Sequence, residues 1–414
     1  MIVNDNIDEA WVRTVPKAEV HVHLDGCIDR EELMRLAGKY GVPLRRPAEQ
    51  LFDFDGLTEF LQFLDWGASL VRTADDAASV AYRFAQRQAA SGIRYTDVII
   101  NPTHWEAWRG NIAGLVDALD AGWREAEQDG LPSTGLCLSL LRQQSAAEAD
   151  ELLDWMLERD HPRVVALSID GDEAVAGRVS ARFADTFRRA ASRGIYRTVH
   201  AGESSGPEGV RDAIDLLMAD RIDHGFRAIE EPALVAEIAD RGIPLGICPG
   251  SNVALGFTES RAAHPVEELR QAGVRISLNT DDGTALGSIL DQEYAATARA
   301  FGWQRDDLLA IARTSIESAF CDDDRRSALL AELERSPAGE EVRSPIGALL
   351  YGVRGTRPDM AWCCSQLARY VERWYSRSGG AGWPQKELDH IFAYMKATAG
   401  YTLKYTGAAD LWEE

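Results

Sequence analysis

Two histidines one residue apart, His21 and His23, are the first candidates for chemistry in this chain. They lie in the run Glu19-Val20-His21-Val22-His23-Leu24-Asp25-Gly26. On an extended strand, residues two apart face the same side, so the spacing predicts that His21, His23 and Asp25 share one face just ahead of a turn at Gly26. Farther along come His200-Ala201-Gly202-Glu203, Asp223-His224-Gly225 and Asn279-Thr280-Asp281-Asp282. A lone histidine pair or a lone pair of aspartates is commonplace. Four His and three Asp gathered at the ends of apolar strands add nothing to a core, and together they point to a catalytic metal site. A set of three neutral imidazoles and one carboxylate, without thiolate, suits zinc, although iron, cobalt and manganese bind the same atoms. A zinc site with water in its open position lowers the pKa of that water toward roughly 7. Glu203 and His224 then remain for proton transfer, and the reaction class is hydrolysis at an electron-poor carbon.

The elements that must position these groups follow from the apolar pattern. Eight short runs rich in Val, Ile and Leu, at 18–24, 94–101, 135–141, 164–169, 196–200, 221–224, 243–248 and 274–279, alternate with segments of helical period. Asp29 with Glu32 three residues on reads as a capping box, and Gly92, Gly194, Gly242 and Gly273 stand where helices should stop. Eight β/α units predict an α/β protein folded as a (β/α)8 TIM barrel, with the chemistry at the C-terminal ends of its strands. No G-x-G-x-x-G follows a strand and no P-loop signature occurs, so the usual nucleotide-phosphate cradles are missing.

The chain has 414 residues, a length that a typical domain size would divide into two or three, but that also fits one barrel with additions. Its formal net charge of −22 argues against nucleic acid or an anionic membrane as the main partner. The 45% hydrophobic and 27% charged content is that of a globular chain with a large core. Six cysteines form no C-x-x-C pair and no small-domain framework, which fits a reducing compartment. With no leader-like start and no apolar run long enough to span a bilayer, the expected location is cytoplasmic. Composition changes near Ser336. From 343 to 414, nine Lys/Arg against seven Asp/Glu leave about +2, and four of the eleven Trp and six of the eleven Tyr fall there. The expected division is a catalytic barrel over 1–335 and a short, mostly helical C-terminal extension over 336–414.

The motifs, taken in order, resemble the adenosine deaminase family of metal-dependent hydrolases over roughly residues 10–335. The matching pieces are Lys17-Ala18-Glu19-Val20-His21-Val22-His23-Leu24-Asp25-Gly26, Gly171-Asp172-Glu173, His200-Ala201-Gly202-Glu203, Asp223-His224-Gly225, Cys248-Pro249 with Ser251-Asn252, and His264-Pro265 leading to Ser277-Leu278-Asn279-Thr280-Asp281-Asp282. The resemblance implies one zinc per chain, held by His21, His23, His200 and Asp281. It implies that Glu203 protonates the purine ring nitrogen beside the attacked carbon, and that His224 orients the attacking water and accepts its proton. It further implies substrate contacts from Asp25 to a ribose hydroxyl, from the Gly171 backbone to the six-membered ring and from Asp282 to the five-membered ring. Relatives acting on the free base tend to carry Glu in place of Asp25. The expected partner is therefore a small purine nucleoside, adenosine first, with free adenine, a modified adenosine or an aminofutalosine-type nucleoside as alternatives. A catalytically inactive scaffold is the reading from another class, and an intact set of seven polar groups speaks against it. Three departures stand out. Gly283 follows the paired aspartates where the family usually has Pro, Ser168 stands where its fourth strand commonly has Asp, and Gly250 is not the commonest residue after Cys248-Pro249.

Segments of the extension, among them 346–351, 356–361 and 394–401, resemble the stretch joining reverse transcriptase to ribonuclease H in copia-type retrotransposon polyproteins. The extension lacks a Tyr-x-Asp-Asp motif, and the expectation is a non-catalytic remnant with no nucleic-acid partner.

Overall fold

Apolar runs flanked by helix-stopping glycines become the staves of a barrel. A computed structural model of the chain describes residues 7–179 and 181–336. Its strands are β1 (Lys17–His23), β2 (Ile93–Ile100), β3 (Ser133–Leu141), β4 (Val164–Asp170), β5 (Tyr196–Ala201), β6 (Arg221–His224), β7 (Leu245–Ile247) and β8 (Ile276–Leu278). They pair in chain order, every neighbour parallel. Between β8 and β1 the ladder shrinks to one bridge, Val22 with Asp281. There His23 N–H donates to Asp281 O at 2.9 Å and Asp281 N–H to His21 O at 3.3 Å. The architecture is the (β/α)8 barrel, with helices covering the outside of the sheet.

The helices obey their local signals. Thr73 and Asp76 form a capping box at the start of the helix Ala74–Ala90, so two otherwise orphaned N–H groups are satisfied at its first turn. That helix ends ahead of Gly92, whose φ of 77° and whose contact with the Arg13 carbonyl, 2.2 Å from where a Cβ would lie, exclude any side chain. The capping box expected at Asp29 is only half made. Asp29 accepts from Glu32 N–H, but the Glu32 carboxylate turns to Arg35 and Ser79 instead of reaching back. β7 and β8 are shorter than the apolar runs at 243–248 and 274–279. Ile243 N–H returns to Ile238 O and Val274 N–H to Leu269 O, so each run spends its first residue closing the preceding helix rather than joining the ladder.

The N-terminal end of the barrel is plugged by charge. Arg221, fully buried, donates to Asp97 Oδ2 at 2.7 Å and to Ser318 O at 3.0 Å, and its guanidinium lies 4.1 Å from the Phe320 ring centre. No described helix is long and apolar enough to cross a membrane. The expected extension beyond Ser336, with its retrotransposon-like segments, lies outside the described residues.

Candidate active site

At the opposite end, β1, β5 and the segment after β8 deliver four side chains to one point. His21, His23, His200 and Asp281 each place one ligand atom so that all lie within 4.8 Å of one another. His21 Nε2 is 3.1 Å from His200 Nε2, and His23 Nε2 is 3.0 Å from the same atom. Asp281 Oδ1 lies 3.3 Å from His21 Nε2 and 3.5 Å from His23 Nε2. Donors at 2.0–2.1 Å around a tetrahedral metal stand about 3.3 Å apart, which matches this spread. The tautomers agree. His21 Nδ1 is 2.8 Å from Gly246 O and His200 Nδ1 is 3.0 Å from Ile169 O, so each Nδ1 carries the proton and each Nε2 presents a bare lone pair. Lone pairs facing one another at hydrogen-bond distance repel unless a cation lies between them. The residues present therefore fit a divalent metal, and their N3O donor set fits zinc.

Electrostatics separates the groups by role. Burial, then the neighbouring His21 and His23, pushes His200 well below the usual histidine range, which keeps it neutral. Burial opposes ionisation of Asp281, but His21, His224 and His23 around it favour the anion and hold the carboxyl well below its ordinary value. Ser251 Oγ donates to Asp281 Oδ2 at 2.5 Å and fixes the carboxylate plane. Two members sit in left-handed backbone: His224 at φ 65° and Asp281 at φ 63°. For residues with a Cβ this costs of order 1 kcal/mol each, and it re-aims both side chains at the end of their strands.

Glu203 and His224 meet beside the ligand cluster, with Glu203 Oε1 3.3 Å from His224 Nε2. Burial and the charges of Asp281, Glu173 and Asp172 push the Glu203 carboxyl well above its ordinary range, which favours the acid form. His224 is pushed the other way, first by burial and then by His21, and stays an uncharged base. One acid and one base stand within reach of a single reacting atom.

The three expected substrate contacts are placed less alike. Asp282 is buried, and its Oδ1 has no hydrogen-bond partner among the described residues. A Cβ on Gly26 would lie 2.0 Å from that oxygen, so glycine is required there by this close approach. Asp25 does not share the strand face of His21 and His23: β1 ends at His23, and Asp25 opens a short 3-10 turn over Asp25–Cys27. It is nonetheless buried. Gly171 follows β4 at φ 98°, its carbonyl held by Arg142 Nε at 2.9 Å.

Several supports were given no role by the sequence. Arg142 is buried at the end of β3 and also donates to His200 O, so one guanidinium ties together the chain at Gly171 and at His200. Glu173 Oε2 accepts Glu203 N–H at 2.9 Å, and Asn252 Nδ2 donates to Glu203 Oε1 at 3.1 Å. Asn101 Nδ2 donates to Asp170 Oδ1 at 2.9 Å across the mouths of β2 and β4. The motif pieces contained Glu173 and Asn252, but their partners lie tens of residues away in the chain. Arg142 and Asp170 belonged to no motif at all.

The family model for adenosine deaminase matches residues 16–336. The chain belongs to the adenosine deaminase family. An adenine deaminase from Sinorhizobium fredii is 34% identical over 323 residues, covering 77% of this chain and 98% of that protein. Among solved structures, the adenine deaminase of Arthrobacter aurescens superposes with a TM-score of 0.72 at 28% identity, over 77% of this chain and 98% of that one. An amidohydrolase from Burkholderia ambifaria with bound Zn gives a TM-score of 0.72 at 28% identity, over 80% of this chain and 93% of that one. As a member of this metal-dependent family, the chain is an aminohydrolase that cleaves the C–N bond of a cyclic amidine by hydrolytic deamination of an adenine-type ring.

Proposed function

We propose that the chain deaminates free adenine at its exocyclic amine, using one zinc held by His21, His23, His200 and Asp281. The carrying observation is the placing of Glu203 Oε1 3.3 Å from His224 Nε2, at the edge of a four-donor cluster whose lone pairs converge. A metal bound there would supply a water acidic enough to attack near neutral pH. His224 is placed to orient the attacking water and accept its proton. Glu203 gives its proton to the ring nitrogen beside the attacked carbon, which relieves the charge that builds as the ring loses aromaticity. Asn252 holds the Glu203 carboxyl in place. Asp282 and the Gly171 backbone bind the two rings and set the attacked carbon against the water. The amine then leaves as ammonia, taking the proton that His224 accepted, while the added hydroxyl returns its proton to Glu203 and the attacked carbon becomes a carbonyl.

The choice of the free base over adenosine rests on relatives named adenine deaminase that match over nearly their whole length. A nucleoside is the second reading, favoured by Asp25 standing where base-acting relatives tend to carry Glu, a shorter side chain that leaves room for a ribose. Ammonia release from adenine, adenosine, deoxyadenosine, methylated adenosines, guanosine and cytidine decides between them. We expect kcat/KM for adenine at least tenfold above that for adenosine. The opposite order selects the nucleoside, and release from none of the panel contradicts both. The barrel over 1–335 is proposed as the catalytic unit, acting in the cytoplasm without a nucleic-acid partner, and 336–414 as a non-catalytic extension.

A further inference from the structure

The inner face of β1 does not follow simple alternation. Against β2, Glu19 stands opposite Thr96 and Val22 opposite Val98, so β1 fits in one residue more than its neighbour. The N–H groups confirm where the extra residue lies. In a regular strand consecutive N–H groups point to opposite edges, but Val20 N–H and His21 N–H both donate to Asn279 Oδ1, at 2.8 and 3.1 Å. Two consecutive donors facing one way mark a β-bulge. Its consequence is a change of face. Glu19 reaches outward to Gln88 of the helix Ala74–Ala90 at 2.6 Å, whereas His21, two residues on, turns its Nε2 into the cluster. Without the bulge, the two side chains would share one face.

Asn279 is fitted to hold this distortion. It is fully buried just past the end of β8, and its Nδ2 donates to Ser277 O at 3.2 Å and Ser277 Oγ at 3.1 Å. Its oxygen therefore has to face β1, and every donor and acceptor of the amide is used. Where β8 and β1 share only one backbone bridge, this side chain supplies the acceptor that a continued ladder would have supplied. We propose that Asn279 is a positioning residue for the metal centre. Its Oδ1 pins the bulge at Val20–His21 that turns His21 toward the metal, and it touches neither metal nor substrate. The inference rests on the zinc centre proposed above and adds to it the device that sets one ligand's direction.

The test compares wild type with Asn279→Ala and Asn279→Asp. Each is stripped of metal and titrated with Zn2+ against a chelator of known affinity, while hydrogen–deuterium exchange follows residues 18–24 of the metal-free protein. Asn279→Ala should bind zinc at least tenfold more weakly, the usual scale for removing a group that orients a ligand, and should lose protection at Val20 and His21. Asn279→Asp keeps an oxygen facing both N–H groups, and its second oxygen, protonated in this buried place, can still donate to Ser277 O, so it should bind zinc within threefold of wild type. Wild-type affinity in Asn279→Ala overturns the proposal, and so does an Asn279→Asp protein tenfold weaker than wild type. If Asn279→Ala does not fold, the Asp variant decides alone. A wild type that takes up no zinc sinks the metal centre, whereas a failed clamp shows separately in the exchange data, which require no metal.

Discussion

The two ends of the barrel both bury charge, and they handle it in opposite ways. At the N-terminal end, the Arg221 guanidinium has Asp97 at 2.7 Å, Asp223 at 3.4 Å, the Ser318 carbonyl at 3.0 Å and the Phe320 ring against it. Opposite charges meet, and the protein supplies both partners. At the C-terminal end, imidazole nitrogens face imidazole nitrogens at 3.0–3.1 Å, and the carboxyls of Glu203, Asp281 and Asp282 crowd one another. That end presents converging donors that fit a cation, and the proposed reaction sets a purine ring beside them. Buried charge that meets its opposite inside the protein builds the scaffold. Buried polarity that is left over marks the site.

The sharpest way to break this contrast is a pair of substitutions. Arg221→Met leaves Asp97 buried without its partner and should lower stability by about 3–5 kcal/mol, while whatever protein remains folded keeps its zinc. His23→Ala should do the reverse: zinc uptake is abolished, and the metal-free protein melts at or above the wild-type temperature because one repelling donor is gone. Thermal melts of the metal-free proteins beside elemental analysis read both. If His23→Ala proved as destabilising as Arg221→Met, the two ends would not differ as described.

A smaller effect is expected at Asp76, in the first turn of the helix Ala74–Ala90. Burial opposes its ionisation, but hydrogen bonds from Lys39, Tyr40, Thr73 and the Arg72 backbone outweigh burial and hold the carboxyl down to about 2. A folded-state value below the unfolded one stabilises the protein above about pH 4, and that contribution is lost as pH falls through about 2. Asp76→Asn should cost about 1–2 kcal/mol near neutral pH and should flatten the acid limb of a denaturation profile between those values. An acid limb as steep as wild type would count against this assignment. Smallest of all, ending the chain after Ser336 should leave the melting temperature and ammonia release unchanged, and a folded but inactive truncation would move the extension into the catalytic unit.

Much of this was legible from the chain alone, for a physical reason. Strands buried on both faces are continuous apolar runs, and polar groups at their ends have no place in a core, so His21, His23, His200, His224 and Asp281 stand out against their neighbours. What stayed hidden depends on register and on distance. Nothing in Glu19-Val20-His21 announces an extra residue relative to β2, so the bulge and the acceptor role of Asn279 emerge only once β1 lies beside both β2 and β8. The left-handed backbone of His224 and Asp281 is likewise invisible, since neither residue is glycine. Alternation carried past the strand end put Asp25 on the wrong element, because β1 stops at His23 and the chain turns. Arg142 looked like any surface arginine until Gly171 O and His200 O closed around it. The expectation of adenosine rests on the family resemblance together with Asp25, and the named relatives support an adenine-type substrate without singling out adenosine.

If Glu203 is the proton donor of the metal-bearing barrel end, its loss should strike turnover and spare the metal. Steady-state ammonia release by Glu203→Gln, compared with wild type at equal metal content, tests this most directly. We expect a drop in kcat of about a hundredfold or more with the metal retained. Turnover within threefold of wild type would contradict it.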